Sequence, residues 1–340
     1  MRSFWGKSPR LRRFGNLHRF GKPATLMALI LVMVLTAGAG CRLFKRPVPA
    51  AKPPQIPKAV RVGDRAEPEI TVYMADTGGT KKMRMEDYIE GVVAAEMDPD
   101  WPIEALAAQA IIARTFTLQQ IETNGGVPDR KAHASTSKDE FQAYDSGRVN
   151  ARVKKAVEIT RGKVIGYNGK LARSLFSAYD GGISATLEEA GFEGKEPYLT
   201  VVKSPDSGTI PDEVRNWKAS FPVSEVRSKV KALTGKDPGA VGKVSVVKKG
   251  PSGRALSVQV GDARITGPQL RLALGPDRLK SVLLSQAKVS GNKVEFAGRG
   301  YGHGVGLSQW GAKVQADRGK KAEQIVRTYY KGASVFTIWD

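Results

Sequence analysis

Cysteine is nearly absent from this chain of 340 residues, with Cys41 as its only example. No intrachain disulfide can form, so the hydrophobic core has to stabilise the fold. Histidine is also scarce: there are three, and one lies near the N-terminus, which leaves His133 and His303. Neither has a partner at a spacing typical of zinc ligands, and no metal or cofactor is predicted. The chain also lacks a Gly-x-Ser-x-Gly element, which argues against a serine triad.

Acidic residues are missing from the first 63 positions, which contain 13 of the 54 Lys and Arg residues. The formal net charge is +21, but the remaining chain has 41 basic against 33 acidic residues, or only +8. Aromatic residues make up 7% and do not cluster with basic ones, as a base-stacking platform would require. We therefore expect no nucleic-acid partner.

The N-terminal region is typical of an export signal. Basic residues precede an uninterrupted apolar run from Ala24 to Ala37, which is short for a membrane span of about 20 residues. Cys41 follows small residues, as at a bacterial lipoprotein cleavage site, although the usual large apolar residue three positions earlier is missing. We expect residues 1–41 to be an export signal of the lipoprotein type, with Cys41 lipidated. An uncleaved span over residues 24–44 is the alternative, and either would anchor the protein to a membrane of the cell envelope.

The rest of the chain reads as a linker and a folded region. Residues 42–65 are Pro-rich and basic, which predicts an extended spacer. Residues 66–340 should fold, with helices at 85–160 and 308–331 and antiparallel hairpins between them. This pattern predicts an α+β fold: a helical part packed on hairpins, with a smaller β-rich subdomain at about 212–295.

The predicted helix over residues 85–97 has a carboxylate on its apolar face. Tyr88, Val92 and Val93 lie on one stripe, and Glu96 is the next position on it. Desolvation there would raise the carboxyl pKa, as a general acid near neutral pH requires. The alternative is that Glu96 reaches water at the helix end or pairs with an arginine.

The next predicted helix, over residues 103–122, has a charge on its inward stripe. Arg114 falls there between Ile111 and Leu118, and Gln109 lies on a flanking face. We expect Glu96 and Arg114 to meet in one partly buried site. A structural ion pair is the alternative for Arg114.

A glycine-rich stretch near the C-terminus has five glycines at alternate positions over residues 298–306. If it is extended, one face has no side chains and the other carries Arg299, Tyr301 and His303. The spacing differs from that of a dinucleotide-binding loop. Upstream, Asp180 precedes two glycines, which predicts a tight turn, either beside a pocket or purely structural.

Four segments resemble the stage II sporulation protein D (SpoIID/LytB) family, in the family's order and over roughly residues 70–334. They are Tyr88-Ile-Glu-Gly-Val-Val-Ala-Ala-Glu96-Met, Trp101-Pro-Ile-Glu-Ala-Leu-Ala-Ala-Gln109-Ala with Ala113-Arg114-Thr115, Ser177-Ala-Tyr-Asp-Gly-Gly182, and Gly298-Arg-Gly-Tyr-Gly-His-Gly-Val-Gly-Leu-Ser-Gln-Trp-Gly311.

The resemblance implies a peptidoglycan lytic transglycosylase that cleaves glycan strands lacking stem peptides, with Glu96 as general acid and base. One carboxyl group suffices for that reaction, because the muramyl 6-hydroxyl closes on the anomeric carbon and no water nucleophile is needed. Lactyl carboxylates of such strands would suit Arg114 and Arg299. The matching motifs imply these substrate-binding residues: Gln109, Arg114, Ser177, Asp180, Arg299, Tyr301, His303, Ser308 and Gln309.

The sequence also departs from the family pattern. Zinc-binding members have cysteine near the region of His133, and this chain has none there, so no zinc site is carried over. Tyr179 and Asp180 stand where a small residue and Asn are usual. The competing interpretation is a non-catalytic, glycan-binding enhancer of a cell-wall amidase, which would make that amidase a partner. Sporulation as a process is not implied.

Overall fold

The computed structural model describes residues 52–340. The predicted export signal, its Cys41 and residues 42–51 of the linker lie outside these residues and stay predictions. Within the described residues, no helix is both long enough and apolar enough to cross a membrane.

Helices and strands alternate along residues 52–340, in the α+β class that the sequence predicts. The nine α-helices of this region are α1 Met85–Glu96, α2 Ile103–Asn124, α3 Ala151–Glu158, α4 Leu187–Ala190, α5 Asp212–Arg215, α6 Val223–Thr234, α7 Gly267–Leu274, α8 Gln309–Asp317 and α9 Ala322–Tyr329. Its strands are β1 Glu69–Met74, β2 Gly79–Arg84, β3 Ala134–Ser135, β4 Lys163–Tyr167, β5 Lys170–Leu171, β6 Phe176–Ser177, β7 Trp217–Pro222, β8 Val244–Lys249, β9 Ala255–Val260, β10 Ala263–Thr266, β11 Leu284–Ser290, β12 Lys293–Gly298, β13 Leu307–Ser308 and β14 Ser334–Thr337.

The strands form five small sheets, in the orders β2-β1-β3, β14-β4-β5, β13-β6, β11-β12-β7 and β10-β9-β8. Most neighbours are antiparallel, but β3 runs parallel to β1 and β13 runs parallel to β6. The β6–β13 pair joins Ser177 to Ser308, across 131 positions of the chain. Two of the predicted motifs are therefore adjacent.

The first hydrophobic core surrounds α1 and α2. The predicted stripe of α1 is confirmed, since Met85, Tyr88, Ile89, Val92 and Val93 are all fully buried. The alanines of α2 are buried too, which allows the two helices to approach closely. Gly125 ends α2 with φ 70°, a left-handed cap.

This core also contains residues from the predicted linker. Ile56 and Val60 are 5% and 3% exposed, and Val60 lies in a short 3₁₀ turn, Lys58–Val60. Burial of these apolar side chains attaches the segment to the domain. The described fold therefore begins before residue 66.

A second hydrophobic core belongs to the β-rich region. It contains residues 217–296 and is built from the sheets β11-β12-β7 and β10-β9-β8 with α6 and α7. Within residues 212–234, the strand β7 lies between the short helix α5 and the longer helix α6. Trp217, Ala219 and Phe221 face this core, with more exposed residues between them, a period-2 pattern that favours a strand over a helix. Gly235 ends α6 in a left-handed conformation, with φ 68°.

Candidate functional site

Glu96 lies at the last position of α1, where the helix leaves the first core. Its side chain is half-buried, and Oε1 accepts a hydrogen bond of 2.9 Å from the backbone N–H of Ala143. The Gln309 carboxamide lies beside it and favours the charged form, although Nε2 of Gln309 makes no hydrogen bond of normal geometry. Burial outweighs both contacts and raises the pKa of Glu96 above its ordinary value. The expected desolvation of this carboxyl group is thus confirmed.

The segment that contacts Glu96 is held by α1 and α2. Gln142 donates 3.0 Å to the Thr117 hydroxyl, and the Asp145 N–H donates 3.0 Å to the carbonyl of Gly91. Tyr144 lies so close to Gly91 that an added Cβ would be 2.2 Å from its ring. Glycine inside α1 therefore has a packing reason, and this packing positions the Ala143 N–H.

The predicted meeting of Glu96 and Arg114 is wrong. Arg114 is fully buried and binds Glu86 through Nε and Nη2, at 3.1 and 2.5 Å. Its Nη1 donates 2.9 Å to the carbonyl of Lys163. Glu86 also accepts 2.9 Å from the indole of Trp339, near the C-terminus of the chain. This buried pair ties α1, α2 and β4 to the C-terminus, and every nitrogen of the Arg114 guanidinium has a partner within the protein.

The geometry of the two helices explains why Arg114 meets Glu86 and not Glu96. α1 and α2 are joined by a short connection and run antiparallel, so the residues that face each other are equidistant from that connection. Arg114 is eleven positions into α2, roughly 16 Å from its start, and therefore faces the beginning of α1. Glu86 is there, whereas Glu96 is roughly 15 Å away along the helix. The structural ion pair, the alternative for Arg114, is what the structure contains.

The glycine-rich stretch is not an extended strand with one bare face. Gly300, Gly302, Gly304 and Gly306 have φ angles of 85°, 112°, 80° and 71°, in the region that L-residues avoid. A Cβ on Gly306 would lie 1.9 Å from the carbonyl oxygen of Leu175. The alternate glycines therefore serve left-handed turns and close backbone contact, and the segment packs mainly along residues 175–181.

The three side chains of the predicted row have different surroundings. Arg299 is exposed. Tyr301 is half-buried, and its hydroxyl donates 2.6 Å to Asp277. His303 packs edge-on against Phe192, and its Nδ1 accepts 3.1 Å from Val305 N–H. Burial, reinforced by nearby arginines, lowers the pKa of His303 to about 4, so it is neutral near pH 7.

The other predicted site residues are buried, and several contain polar atoms without a partner. No hydrogen bond is made by Ser177 Oγ, Asp180 Oδ2 or Gln309 Nε2. The fully buried Gln109 has no partner for either atom of its side-chain amide. Buried polar groups are nearly always paired, so each orphan calls for a water or a ligand. Ser308 is occupied: its hydroxyl accepts from Gly311 N–H at 3.2 Å and from Asp180 N–H at 3.3 Å. The first contact makes Ser308 the N-cap of α8.

Asp180 combines an unpaired oxygen with deep burial. Its Oδ1 accepts 3.0 Å from the N–H of Gly182, which makes the predicted tight turn. Desolvation raises the pKa of Asp180 to about 6, against the attraction of Arg254.

Two tryptophans lie beside the site, and the sequence patterns did not predict them as site residues. Trp101 and Trp310 are both half-buried, with ring centroids 4.5 Å apart. Trp310 follows Gln309, the residue beside Glu96, and Trp101 lies in the turn after α1. Their place in two of the four motifs was the available signal.

His133 makes a structural contact with the neighbouring strand. Its Nδ1 accepts 3.0 Å from Thr71 N–H, between β1 and β3. Among residues 52–340, no three His, Cys, Asp or Glu side chains are grouped so that they could hold a metal ion.

Fold and site together define an α+β protein with two large hydrophobic cores and with buried polar groups from distant motifs, among them the desolvated carboxyl groups of Glu96 and Asp180. The profile of the family described as "Stage II sporulation protein" (SpoIID) matches residues 73–167, and a domain of unknown function matches residues 197–306.

Three curated relatives extend the match. The chain is 32% identical over 321 residues to stage II sporulation protein D of Bacillus subtilis, covering 88% of this chain and 87% of that protein. Its counterpart in Bacillus amyloliquefaciens is 29% identical over 278 residues, or 78% of each chain. The amidase enhancer of Bacillus subtilis is 29% identical over 293 residues, covering 73% of this chain and 40% of the enhancer. The chain belongs to the SpoIID family.

Proposed function

We propose that this protein remodels bacterial peptidoglycan, as a lytic transglycosylase that uses Glu96 to cleave glycan strands lacking stem peptides. The observation that carries the proposal is the environment of Glu96: a half-buried carboxyl group whose pKa is raised by burial and whose neighbour Gln309 has an unpaired amide nitrogen. A raised pKa keeps the proton available near neutral pH, as a general acid requires.

In the proposed reaction, Oε2 of Glu96 gives its proton to the glycosidic oxygen while Oε1 stays on the Ala143 N–H. The carboxylate then takes a proton from the muramyl 6-hydroxyl, whose oxygen bonds to the anomeric carbon. The glycosidic bond breaks, a 1,6-anhydro ring forms, and Glu96 ends protonated as it began. The Ala143 hydrogen bond at Oε1 favours the charged form of Glu96, so it stabilises the intermediate state.

The unpaired polar atoms of Gln109, Ser177, Asp180 and Gln309 suit sugar hydroxyl and acetamido groups, which both donate and accept hydrogen bonds. The half-buried tryptophan pair offers flat apolar surface to a sugar ring. The exposed Arg299 would attract the lactyl carboxylates of stripped strands. Arg114, Tyr301, His303 and Ser308 act indirectly in this scheme, because internal contacts occupy them.

A second candidate function is that of a non-catalytic glycan-binding partner of a cell-wall amidase. It is favoured by the 29% identity to a protein named amidase enhancer. In that case the same polar groups would bind the strand, and Glu96 would remain unreactive.

One experiment separates the two functions. The purified full-length protein is incubated with peptide-free glycan strands, and anhydro-muramyl ends are counted by mass spectrometry; Glu96→Gln is the test variant. We expect the parent protein to release anhydro products and the variant to bind strands without releasing them. The matched control is Glu158→Gln, an exposed carboxylate on α3, which should leave release unchanged.

Equal release by the parent and Glu96→Gln would refute the catalytic role of Glu96. Binding by both without any product would favour the amidase-enhancer function, which a purified amidase added to the assay would then test directly.

We also infer that residues 1–41 direct export and membrane attachment, as their composition predicts. Metabolic labelling with a lipid precursor should mark the parent protein but not Cys41→Ala. A cytosolic parent protein would refute export, and an unlabelled but membrane-bound one would favour the uncleaved span.

A further inference from the structure

Arg254 comes from the β-rich region and lies beneath the glycine-rich stretch. It occupies the position before β9 and is 1% exposed, among the largest fully buried side chains of residues 52–340. A buried guanidinium loses its hydration, which destabilises the fold unless its donors and charge are matched. Its contacts therefore need a reason beyond packing.

Those contacts lie on the segment that carries the polar site. Nη2 donates 2.6 Å to the carbonyl oxygen of Asp180, and Nη1 donates 2.9 Å to that of Ile183. Nη1 also donates 2.8 Å to Ser252, whose hydroxyl donates 2.7 Å to the buried Glu189. One arginine of the second core thus fixes both ends of the turn that begins at Asp180.

The glycine-rich stretch makes room for this side chain. A Cβ on Gly304 would lie 2.2 Å from Nη2 and 2.7 Å from Cζ of Arg254. The carbonyl of Gly304 accepts 2.7 Å from the N–H of Ala185, so the same turn contacts the glycine stretch directly. Arg254 is therefore packed between the Asp180 turn and the stretch.

Arg254 also acts on Asp180 through its charge. Arg254 is the cation that favours the ionised form of Asp180, and Asp180 and Glu189 in turn favour the charged form of Arg254. The other titratable groups near Asp180 are the phenols of Tyr179 and Tyr329, whose pKa values burial raises above 10. Both are neutral across the working pH range, so Arg254 dominates the local field.

We propose that Arg254 is a positioning residue, through which the β-rich region sets the orientation and charge of Asp180 and the seating of the glycine-rich stretch for glycan binding. The inference rests on the proposed function, since it presumes that Asp180 and its neighbours contact the glycan. It assigns a task to a region whose own family match is a domain of unknown function.

The test compares full-length variants Arg254→Met and Arg254→Lys with the parent protein. Arg278→Met is the matched control, because this arginine of the same region is 52% exposed and pairs with Glu225. The first readout is the Kd for peptide-free glycan strands. Misplacing a binding group by about 1 Å costs roughly ten- to a hundredfold, and we expect a loss of that size in Arg254→Met but not in Arg278→Met. Arg254→Lys keeps the charge but reaches fewer carbonyls, so its binding should be weaker than that of the parent protein and stronger than that of Arg254→Met.

The second readout needs no glycan. Aspartate labelled with ¹³C at the carboxyl carbon is titrated by NMR, and Asp180→Asn identifies the signal of Asp180. The parent signal should have a pKa of about 6, Arg254→Met should move it upward because the favourable cation is gone, and Arg254→Lys should leave it near the parent value. A purely structural role would not produce this ordering.

Unchanged titration and unchanged glycan binding in a folded Arg254→Met protein would overturn the proposal. If that variant does not fold, Arg254→Lys decides: weaker binding at a nearly unchanged Asp180 titration supports positioning, and binding equal to the parent refutes it. If the parent protein itself binds no glycan, the proposed function fails, and the titration still decides whether Arg254 controls Asp180.

Discussion

The buried pair of Glu86 and Arg114 allows a sharp test of whether Arg114 acts in the fold or on a substrate. Arg114→Met removes the guanidinium but keeps most of the side-chain volume. Glu86 would then keep two donors, the Gly162 N–H and the Trp339 indole, but would be a buried charge without a counterion. Breaking such a pair costs about 3–5 kcal/mol of unfolding free energy, which for a domain of this size is a fall in Tm of roughly 6–20 °C.

The assay is urea unfolding followed by circular dichroism. Arg227→Met is the control, because Arg227 is 49% exposed and pairs with Asp237 at the surface; it should cost less than about 1 kcal/mol. The double variant Glu86→Leu with Arg114→Met should recover much of the loss, since an apolar pair of similar volume avoids burying charge. A stable Arg114→Met protein that has lost only glycan binding would refute the structural assignment and return Arg114 to the substrate.

Three further predictions follow from single contacts. Gly306→Ala should lower the free energy of unfolding by more than about 2 kcal/mol, because it combines a positive φ with a clash against Leu175. Gly78→Ala, with the same φ but open space, should cost roughly 1 kcal/mol in the same urea unfolding assay. Equal costs for the two variants would contradict the close-contact argument. Trp310→Leu should weaken glycan binding by about tenfold in a pull-down titration, and an unchanged Kd in a folded variant would remove the tryptophan pair from the binding surface. His303 is neutral in the fold, with a pKa lowered to about 4. It therefore contributes stability above the unfolded pKa of about 6.5, and this stability is lost as pH falls through 4. His303→Gln should flatten the acid side of a Tm-versus-pH curve, and an unchanged acid side would place the acid sensitivity elsewhere.

Local patterns predicted much of the secondary structure. The stripes of α1 and α2 indicated both helices. Asn-Gly is typical of a type I′ turn, and Asn168-Gly169 makes the turn between β4 and β5 with φ angles of 49° and 77°. At residues 217–222 the structure adds a strand, β7, which is completed by antiparallel pairing with the distant β12. Short strands such as β3 and β14 have no pattern of their own and exist through their partners.

The raised pKa of Glu96 was also within reach of the sequence, since the apolar stripe of α1 places that carboxyl group on the buried side. Its actual neighbours were not, because Ala143 and Gln309 are 47 and 213 positions away along the chain. The glycine spacing correctly signalled close contact, but a pattern of residue types does not distinguish a strand from a series of left-handed turns.

By itself, the sequence determined which residues are buried along each helix, where the chain turns, and to which family it belongs, because these depend on periodicity, backbone preference and motif order. Only the tertiary structure decided which charges meet. Arg114 faces Glu86 because two antiparallel helices align their far ends, and Arg254 reaches Asp180 because a second core lies against the glycine-rich stretch. Contacts of this kind depend on distances between elements, which no local pattern contains.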